Sequence, residues 1–342
     1  MKKILIDIGH PAHVHLFRNY IQHLQETKQK FVVVSRDKEI TNQLLEHYQI
    51  PYSSISKQTK GLFNMLVELI IRNFRIFKLH WKHNFKSAIG TSVSIGHLSF
   101  LTFGKVKSYN FNEDDDDIVP LYTKITYPFS TKIVCPDCLR FTKWKNKRVT
   151  YPSYHELSYL HPNNFTPDES VLEKYGLKKR KYVIFRLSAL IAHHDHGVKG
   201  ISGGLKEKML TLLDGYDIIE SLEGKRGNKI EPWDMHHVLA FSKMIISDSQ
   251  TMSAEGMVLG VPSFRINSFV GRISYLEELE NEYNLGFGIL PDKENEILSK
   301  IKETLSTEKL EELWSLKKRK MLEDKIDLNQ WMIDYFEINR NE

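Results

Sequence analysis

Short apolar runs and longer stretches of helical period alternate along almost the whole chain. Residues 4–8, Ile-Leu-Ile-Asp-Ile, read as a buried strand. After the turn Gly9-His10-Pro11-Ala12-His13, apolar residues at 14, 16, 17, 20, 21 and 24 keep the spacing of a helix over 14–25. The alternation predicts further strands at 31–35, 50–55, 87–91, 106–111 and 133–135, and helices at 39–48, 62–85 and 95–103. A polar, proline-bearing stretch over 151–170 reads as a linker. Beyond it the pattern resumes, with strands at 182–187, 217–221, 243–247 and 263–266 and helices at 204–213, 235–241, 253–259 and 294–318. A last helix over 327–336 places Leu328, Trp331, Met332, Tyr335 and Phe336 on roughly one face. Strands that alternate with helices imply right-handed βαβ units and parallel sheets. The pattern therefore predicts two α/β domains, over 1–160 and 161–326, with a terminal helix in 327–342 able to pack back on the first.

Composition adds bounds. The chain has 342 residues, 41% hydrophobic and 27% charged, which is globular usage with enough length for two cores. The net charge of +5 suits anionic ligands or a membrane surface. The basic residues are scattered, without interleaved stacking aromatics, so nucleic acid is not an expected partner. Two cysteines, Cys135 and Cys138, cannot build a disulfide framework, and one C-x-x-C is weak for zinc. The apolar run at the N-terminus is too short for a signal peptide and is interrupted by Asp7. No apolar window is long enough to span a bilayer. A cytoplasmic setting is expected.

Ligands of open parallel sheets bind beyond the C-terminal strand ends, so the turns after strands are where chemistry is sought. The turn after the first strand carries His10, His13 and His15 behind Gly9. Gly9 lets a ligand approach the backbone, and the helix start that follows favours an anion. A single glycine is not the three-glycine dinucleotide fingerprint. Imidazole titrates near neutrality, so His10 and His13 are the acid/base candidates, while His15 lies inside the helix and reads as structural. Glu113, at a strand end of the same domain, is a second acid/base candidate, and the rest of the acidic run 114–117 reads as a solvated loop.

In the second domain, the string from Ile246 to Pro262 leaves a strand, passes small hydroxyl residues and enters a helix. Ser249, Gln250 and Thr251 can hold a diphosphate there, and Asp248, where the string leaves the strand, is a further substrate-binding candidate. Glu255, further along the helix, can accept hydrogen bonds from a ribose diol. The loop His193-His194-Asp195-His196 follows the first strand of this domain. Adjacent residues on one loop rarely converge on one ion, so it reads as substrate-facing, not as a metal site. Ser188 and Glu223, also past strand ends, are placed to orient a substrate hydroxyl or base. Arg265, near the end of the strand at 263–266, and Asn267, just past it, complete the candidate set. Residues 62–82 mix apolar positions with Arg72, Arg75, Lys78 and Lys82. That pattern fits a basic amphipathic helix on a membrane surface, or a core helix with a solvated basic face.

These segments carry a resemblance. The spacing Asp-Ser-x-x-x-x-x-Glu-(x)4-Gly-x-Pro from Asp248 resembles the nucleotide-sugar loop of the GT-B superfamily, which holds glycosyltransferases and UDP-N-acetylglucosamine 2-epimerases. Residues 230–237, Ile-Glu-Pro-Trp-Asp-Met-His-His, resemble its loop against the uracil base, which brings in Ile230 and His237. The Gly9-His10 turn is similar to the acceptor-side loop of MurG-type transferases, where a His is a candidate base. Over nearly the whole chain the likeness is to a GT-B-like family known as a domain of unknown function, through residues 6–15 and 267–274. The resemblance implies two Rossmann-like parallel-sheet domains facing a cleft, a UDP-linked sugar as donor and a sugar or lipid-linked acceptor. It implies no separate cofactor and no metal. The epimerases' Gly-Thr-Arg-Pro-Glu opening and Arg-x-x-Glu-Asn segment are absent, and Phe185-Arg186-Leu187-Ser188 stands at the second place. This favours a transferase of surface polysaccharide or glycoconjugate synthesis over a 2-epimerase; a hydrolase of the same fold and a non-catalytic sugar-nucleotide-binding protein are the other readings.

Overall fold

The structure, a computed structural model, describes residues 3–187, 200–222 and 229–338. It divides into two compact units, Met1–Asn164 with Ile326–Glu342, and Phe165–Lys325. The first holds β1 (Lys3–Ile8), α1 (Pro11–Glu26), β2 (Phe31–Asp37), α2 (Thr41–His47), β3 (Tyr52–Lys57), α3 (Leu62–His83) and β4 (Phe85–Gly90). It continues with α4 (Val93–Leu101), β5 (Lys107–Phe111), α5 (Pro120–Thr126), β6 (Lys132–Pro136) and β7 (Arg148–Tyr151). All seven strands are parallel, in the order β3-β2-β1-β4-β5-β6-β7. Leu5, Ile6 and Ile8 are fully buried, because helices cover both faces of the sheet.

The strand order reverses between β1 and β4, which makes their C-terminal ends a topological switch point. The two strands approach closely there: a Cβ on Gly90 would lie 2.5 Å from the Asp7 carbonyl oxygen, and backbone cannot move aside. Only glycine fits, and the turn that follows, Thr91-Ser92, is held against the turn after β1.

α1 begins at Pro11, three residues before its apolar period. His10, extended at φ −154° and ψ 153°, caps it, and its Nδ1 accepts the Ala12 N–H at 3.2 Å. Proline at the first helical position and a polar cap carry no apolar signal, which is why periodicity places the start late. Half of the expected linker is core: Tyr151, Tyr154, Leu157, Tyr159 and Leu160 are buried. Ser158 Oγ donates to the Leu16 carbonyl at 3.0 Å, and Asn19 donates to the Ser158 carbonyl at 2.9 Å. The acidic run is not a solvated loop either. Asp115 Oδ1 accepts the Arg140 N–H at 2.6 Å, and Asp116 Oδ2 accepts from Thr142 N, Thr142 Oγ1 and Lys143 N at 2.7, 2.8 and 3.1 Å. Burial pushes the Asp116 carboxyl up, but these donors outweigh it and its pKa is lowered.

The second unit holds α6 (Val171–Tyr175), β8 (Tyr182–Leu187), α7 (Gly203–Leu212), β9 (Asp217–Leu222), α8 (Met235–Ala240), β10 (Met244–Ser247) and α9 (Gln250–Leu259). After these come β11 (Ser263–Arg265), α10 (Ser274–Glu277), β12 (Gly286–Gly288), α11 (Glu294–Ser306) and α12 (Leu310–Asp324). Among the described residues its five strands are parallel, in the order β12-β11-β10-β8-β9, with the switch point between β8 and β10. The single helix expected over 294–318 is two, broken before Lys309, which is left-handed at φ 51°. The chain then returns to the first unit as α13 (Leu328–Ile338). Leu328, Met332 and Phe336 are buried in that unit's core, with the Phe336 ring 5.0 Å from Tyr109 and 5.5 Å from Tyr20.

Candidate functional site

Each unit carries one polar cluster at its switch point. In the first unit the cluster is built on a buried charge. Asp7, the last polar residue of β1, is fully buried and accepts from Arg72 Nη2 and from Ser92 Oγ. Arg72 reaches it from α3 and also donates to Ser56 Oγ at 2.5 Å. A buried carboxylate persists only when paired and hydrogen-bonded, so this network ties together the elements that carry the two turns.

On that base the candidate acid/base groups assemble. His13 shares a hydrogen bond with Thr91 Oγ1, at 2.7 Å from Nδ1, and its ring centroid lies 5.6 Å from that of His10. Removal from water, and then the neighbouring His10, hold the His13 imidazole well below its usual range. It is therefore neutral at physiological pH and able to accept a proton. His10 is tied to the α1 start by its capping bond. Gly9 lies beside His13, where a Cβ would meet Nδ1 at an ordinary 3.9 Å. Glu113, past the end of β5, pairs with His155 Nδ1 at 2.9 Å. His15 is buried, as a structural residue would be.

Asp114 is the residue that sequence reasoning passes over. Burial, reinforced by the Glu113 carboxylate, pushes its carboxyl up to about 7. His155 is close enough to lower both the Asp114 and the His13 pKa. A carboxyl poised near neutrality beside a His–Glu pair can give or take a proton at working pH. The same burial has a cost in stability. Between the unfolded carboxyl range and pH 7 the folded state holds a proton that the unfolded chain releases, so stability falls as pH rises through that window. Asp114→Asn should therefore raise Tm by a few degrees at pH 8, and the gain should shrink below pH 7 and vanish by about pH 4. Melting curves at the two ends check it; an equal gain at both would remove Asp114 from the titrating cluster.

In the second unit, α9 starts at the β8–β10 switch point. Ser249 is its cap residue, with Gln250 and Thr251 in the first turn, all half-buried. The first N–H groups of a ten-residue helix lie here with the positive end of its dipole, and no cap side chain bonds to them. Asp248 is buried, and its carbonyl accepts from Asn267 Nδ2 at 2.9 Å. One turn into the helix, Glu255 is buried and bonded to His236 Nε2 at 3.0 Å. Arg186, at the end of β8 and paired in register with Ser247, donates to Ser221 Oγ at 2.8 Å. It is a second residue missed from sequence, although an arginine one position before a strand end beside a candidate anion site is the signal.

Two residues expected at the ligand are occupied by the scaffold instead. Arg265 is fully buried, bonded to Glu280 at 2.6 and 2.8 Å and to Glu277 at 3.2 Å. Asn267 is also fully buried: besides the Asp248 carbonyl it holds the Phe269 N–H at 2.9 Å. Arg265 ends β11 and Asn267 follows it, but two carboxylates from the neighbouring helical segment take the arginine before any ligand can. Ile230 is buried, and His237 Nδ1 accepts the Asp168 N–H at 2.9 Å while its ring packs 4.8 Å from Phe165. Ser188, His193, His194 and Glu223 lie outside the described residues. Among the described residues no group of three or more His, Cys, Asp or Glu is placed to hold a metal ion.

A family model described as "Protein of unknown function (DUF354)" matches residues 2–273. No curated protein matches the chain in sequence. Among solved structures, the Staphylococcus aureus MnaA–UDP co-structure aligns with a TM-score of 0.68 at 14% identity, over 100% of this chain and 97% of that one. The Methanocaldococcus jannaschii UDP-GlcNAc 2-epimerase in complex with UDP-GlcNAc and UDP aligns at 0.64 and 14%, over 90% and 93%. The spinosyn forosaminyltransferase SpnP aligns at 0.64 and 10%, over 100% of each chain. At such identities the likeness is one of fold, and the fold is the two-domain α/β architecture of the GT-B class.

Proposed function

The chain belongs to the DUF354 family of proteins of unknown function, and we propose that it is a nucleotide-sugar-dependent glycosyltransferase. The donor is a UDP-linked sugar, the acceptor a sugar or lipid-linked sugar, and the product a surface polysaccharide or glycoconjugate. The observation that carries this reading is the start of α9, where hydroxyl and amide groups meet helix N–H groups that no cap side chain takes, at a switch point and with Glu255 buried further along the helix. The helix terminus receives the diphosphate and stabilises it as it departs. Glu255, held by His236, receives the ribose hydroxyls. In the first unit, His13 takes the proton of the acceptor hydroxyl, and the Glu113–His155 pair is the second acid/base group. UDP in the MnaA structure, a protein of the same fold, supports a uridine nucleotide as the ligand.

Glu255→Ala is expected to weaken UDP binding by roughly 1–3 kcal/mol, the cost of stranding a buried polar partner. Titration calorimetry checks it, with Glu255→Gln as the variant that keeps shape. Unchanged affinity in both would remove Glu255 from the ribose.

A second reading is favoured by one observation: Glu113 and Asp114 place two carboxyl groups beside His155, as proton removal and return at a sugar carbon would need. The enzyme would then be a UDP-sugar 2-epimerase. Incubation of UDP-N-acetylglucosamine alone in D2O separates the two. Deuterium at C2 marks the epimerase; UDP released only when acceptor is added marks the transferase. UDP released from donor alone marks a hydrolase, and binding without turnover marks a sugar-nucleotide-binding protein.

A further inference from the structure

The polarity of α3 is reversed. Its inward face carries charge: Glu68 is buried and accepts from Arg36 at 3.2 and 2.7 Å, and Arg72 is buried on Asp7. Its outward face is apolar. Leu62, Leu66, Ile70 and Phe74, four residues apart and so on one stripe, are 54–73% exposed. The next two positions of that stripe are Lys78 and Lys82, both exposed, with Trp81 beside them at 78% exposure. α4 packs against α3 and α5 against α4. These neighbours add Phe100, then Phe103, which is 93% exposed on a left-handed turn at φ 52°. A bulky aromatic pays to sit in that conformation, and here it gains no burial within the chain.

The charge says what covers this face. Residues 57–112 contain nine lysines and arginines and one acid, a net +8 against +5 for the whole chain. The one acid, Glu68, is buried on Arg36, and Arg72 is buried on Asp7, which leaves eight exposed lysines and arginines in this segment and no exposed acid. A second copy of the chain would bring the same positive charge against it. An anionic lipid surface offers the opposite charge and an apolar layer beneath, and a stripe that passes from leucine and phenylalanine to tryptophan and lysine matches that boundary. Among the described residues no helix is long and apolar enough to cross a membrane, so the contact is interfacial.

We propose that the outer face of α3, with Phe100 and Phe103, docks on an anionic bilayer, the apolar stripe entering the headgroup–acyl boundary and Lys78 and Lys82 meeting lipid phosphates.

Vesicle flotation of the full chain tests it, with phosphatidylcholine alone and with phosphatidylcholine containing phosphatidylglycerol. The protein is expected to float at least tenfold better with the anionic vesicles. Ile70→Glu/Phe74→Glu should lose that binding without lowering Tm, because both side chains are exposed. Lys78→Glu/Lys82→Glu should abolish the preference for anionic lipid. Equal flotation with both vesicles overturns the electrostatic half. No flotation, with a dimer in light scattering that Ile70→Glu/Phe74→Glu converts to monomer, assigns the face to a second copy and overturns the proposal.

Discussion

Replacing Arg72 by methionine is expected to destabilise the N-terminal unit by about 3–5 kcal/mol. Methionine keeps much of the length and can fill the space, but it cannot answer the Asp7 carboxylate. Arg72 and Asp7 are 1% and 0% exposed, so no water replaces the guanidinium. What remains on Asp7 is the hydroxyl of Ser92. At roughly 2–4 °C per kcal/mol for a unit of this size, the fall in Tm should be plain in a calorimetric or dichroism melt. Adding Asp7→Asn to Arg72→Met should recover part of the loss, because the uncompensated charge is then gone. A single-variant loss below about 1 kcal/mol would mean that the pair is not what holds α3 to the sheet. Activity should fall with stability, since Asp7 stands two residues before Gly9 and anchors the turn that carries His10 and His13.

His13→Gln carries the largest expected effect on rate. If the neutral imidazole takes the acceptor proton, kcat should drop by about 10²–10⁴ while donor affinity, set in the other unit, hardly changes. The depressed pKa of His13 gives the pH profile a sign. Its acid limb should lie below the ordinary histidine range, because the group stays unprotonated where a solvated imidazole would not. Folding stability should fall in the same direction: as pH drops below about 6.5, the unfolded chain takes up a proton that the folded His13 refuses. His10 separates from His13 in the same assay. Asparagine is a good helix cap, so His10→Asn should keep the fold, whereas His10→Ala should cost about 1 kcal/mol. If His13→Gln retains near-normal kcat, the base is elsewhere, and the Glu113–Asp114–His155 cluster is next.

The turn after β1 and the string entering α9 were both legible in the sequence, for the same reason. Each follows an apolar run that can only be a buried strand, and each carries residues that a plain connection does not require. The approximate ends of β1, β2, β8 and β10 followed from the same runs. α3 was legible as a helix, yet its orientation was not. A period of 3.6 shows that apolar and charged residues occupy different faces, and burial is then assigned to the apolar one by default. Here the default fails, because Arg72 has Asp7 to pair with and Glu68 has Arg36, and a paired charge can be buried where an unpaired one cannot.

Local pattern in the chain determined the α/β class, the division into two units of parallel sheet and the turns on which the candidate residues sit, since these depend on spacings of a few residues. Tertiary structure alone decided which polar residues are partners. It took Arg265 out of the candidate site by supplying Glu280 and Glu277, brought His155 to Glu113 and Asp114, and returned α13 to the first unit's core. The Arg72–Asp7 pair spans 65 positions. The energy of a buried charge depends on what lies within a few ångströms of it, and only the folded chain sets that distance.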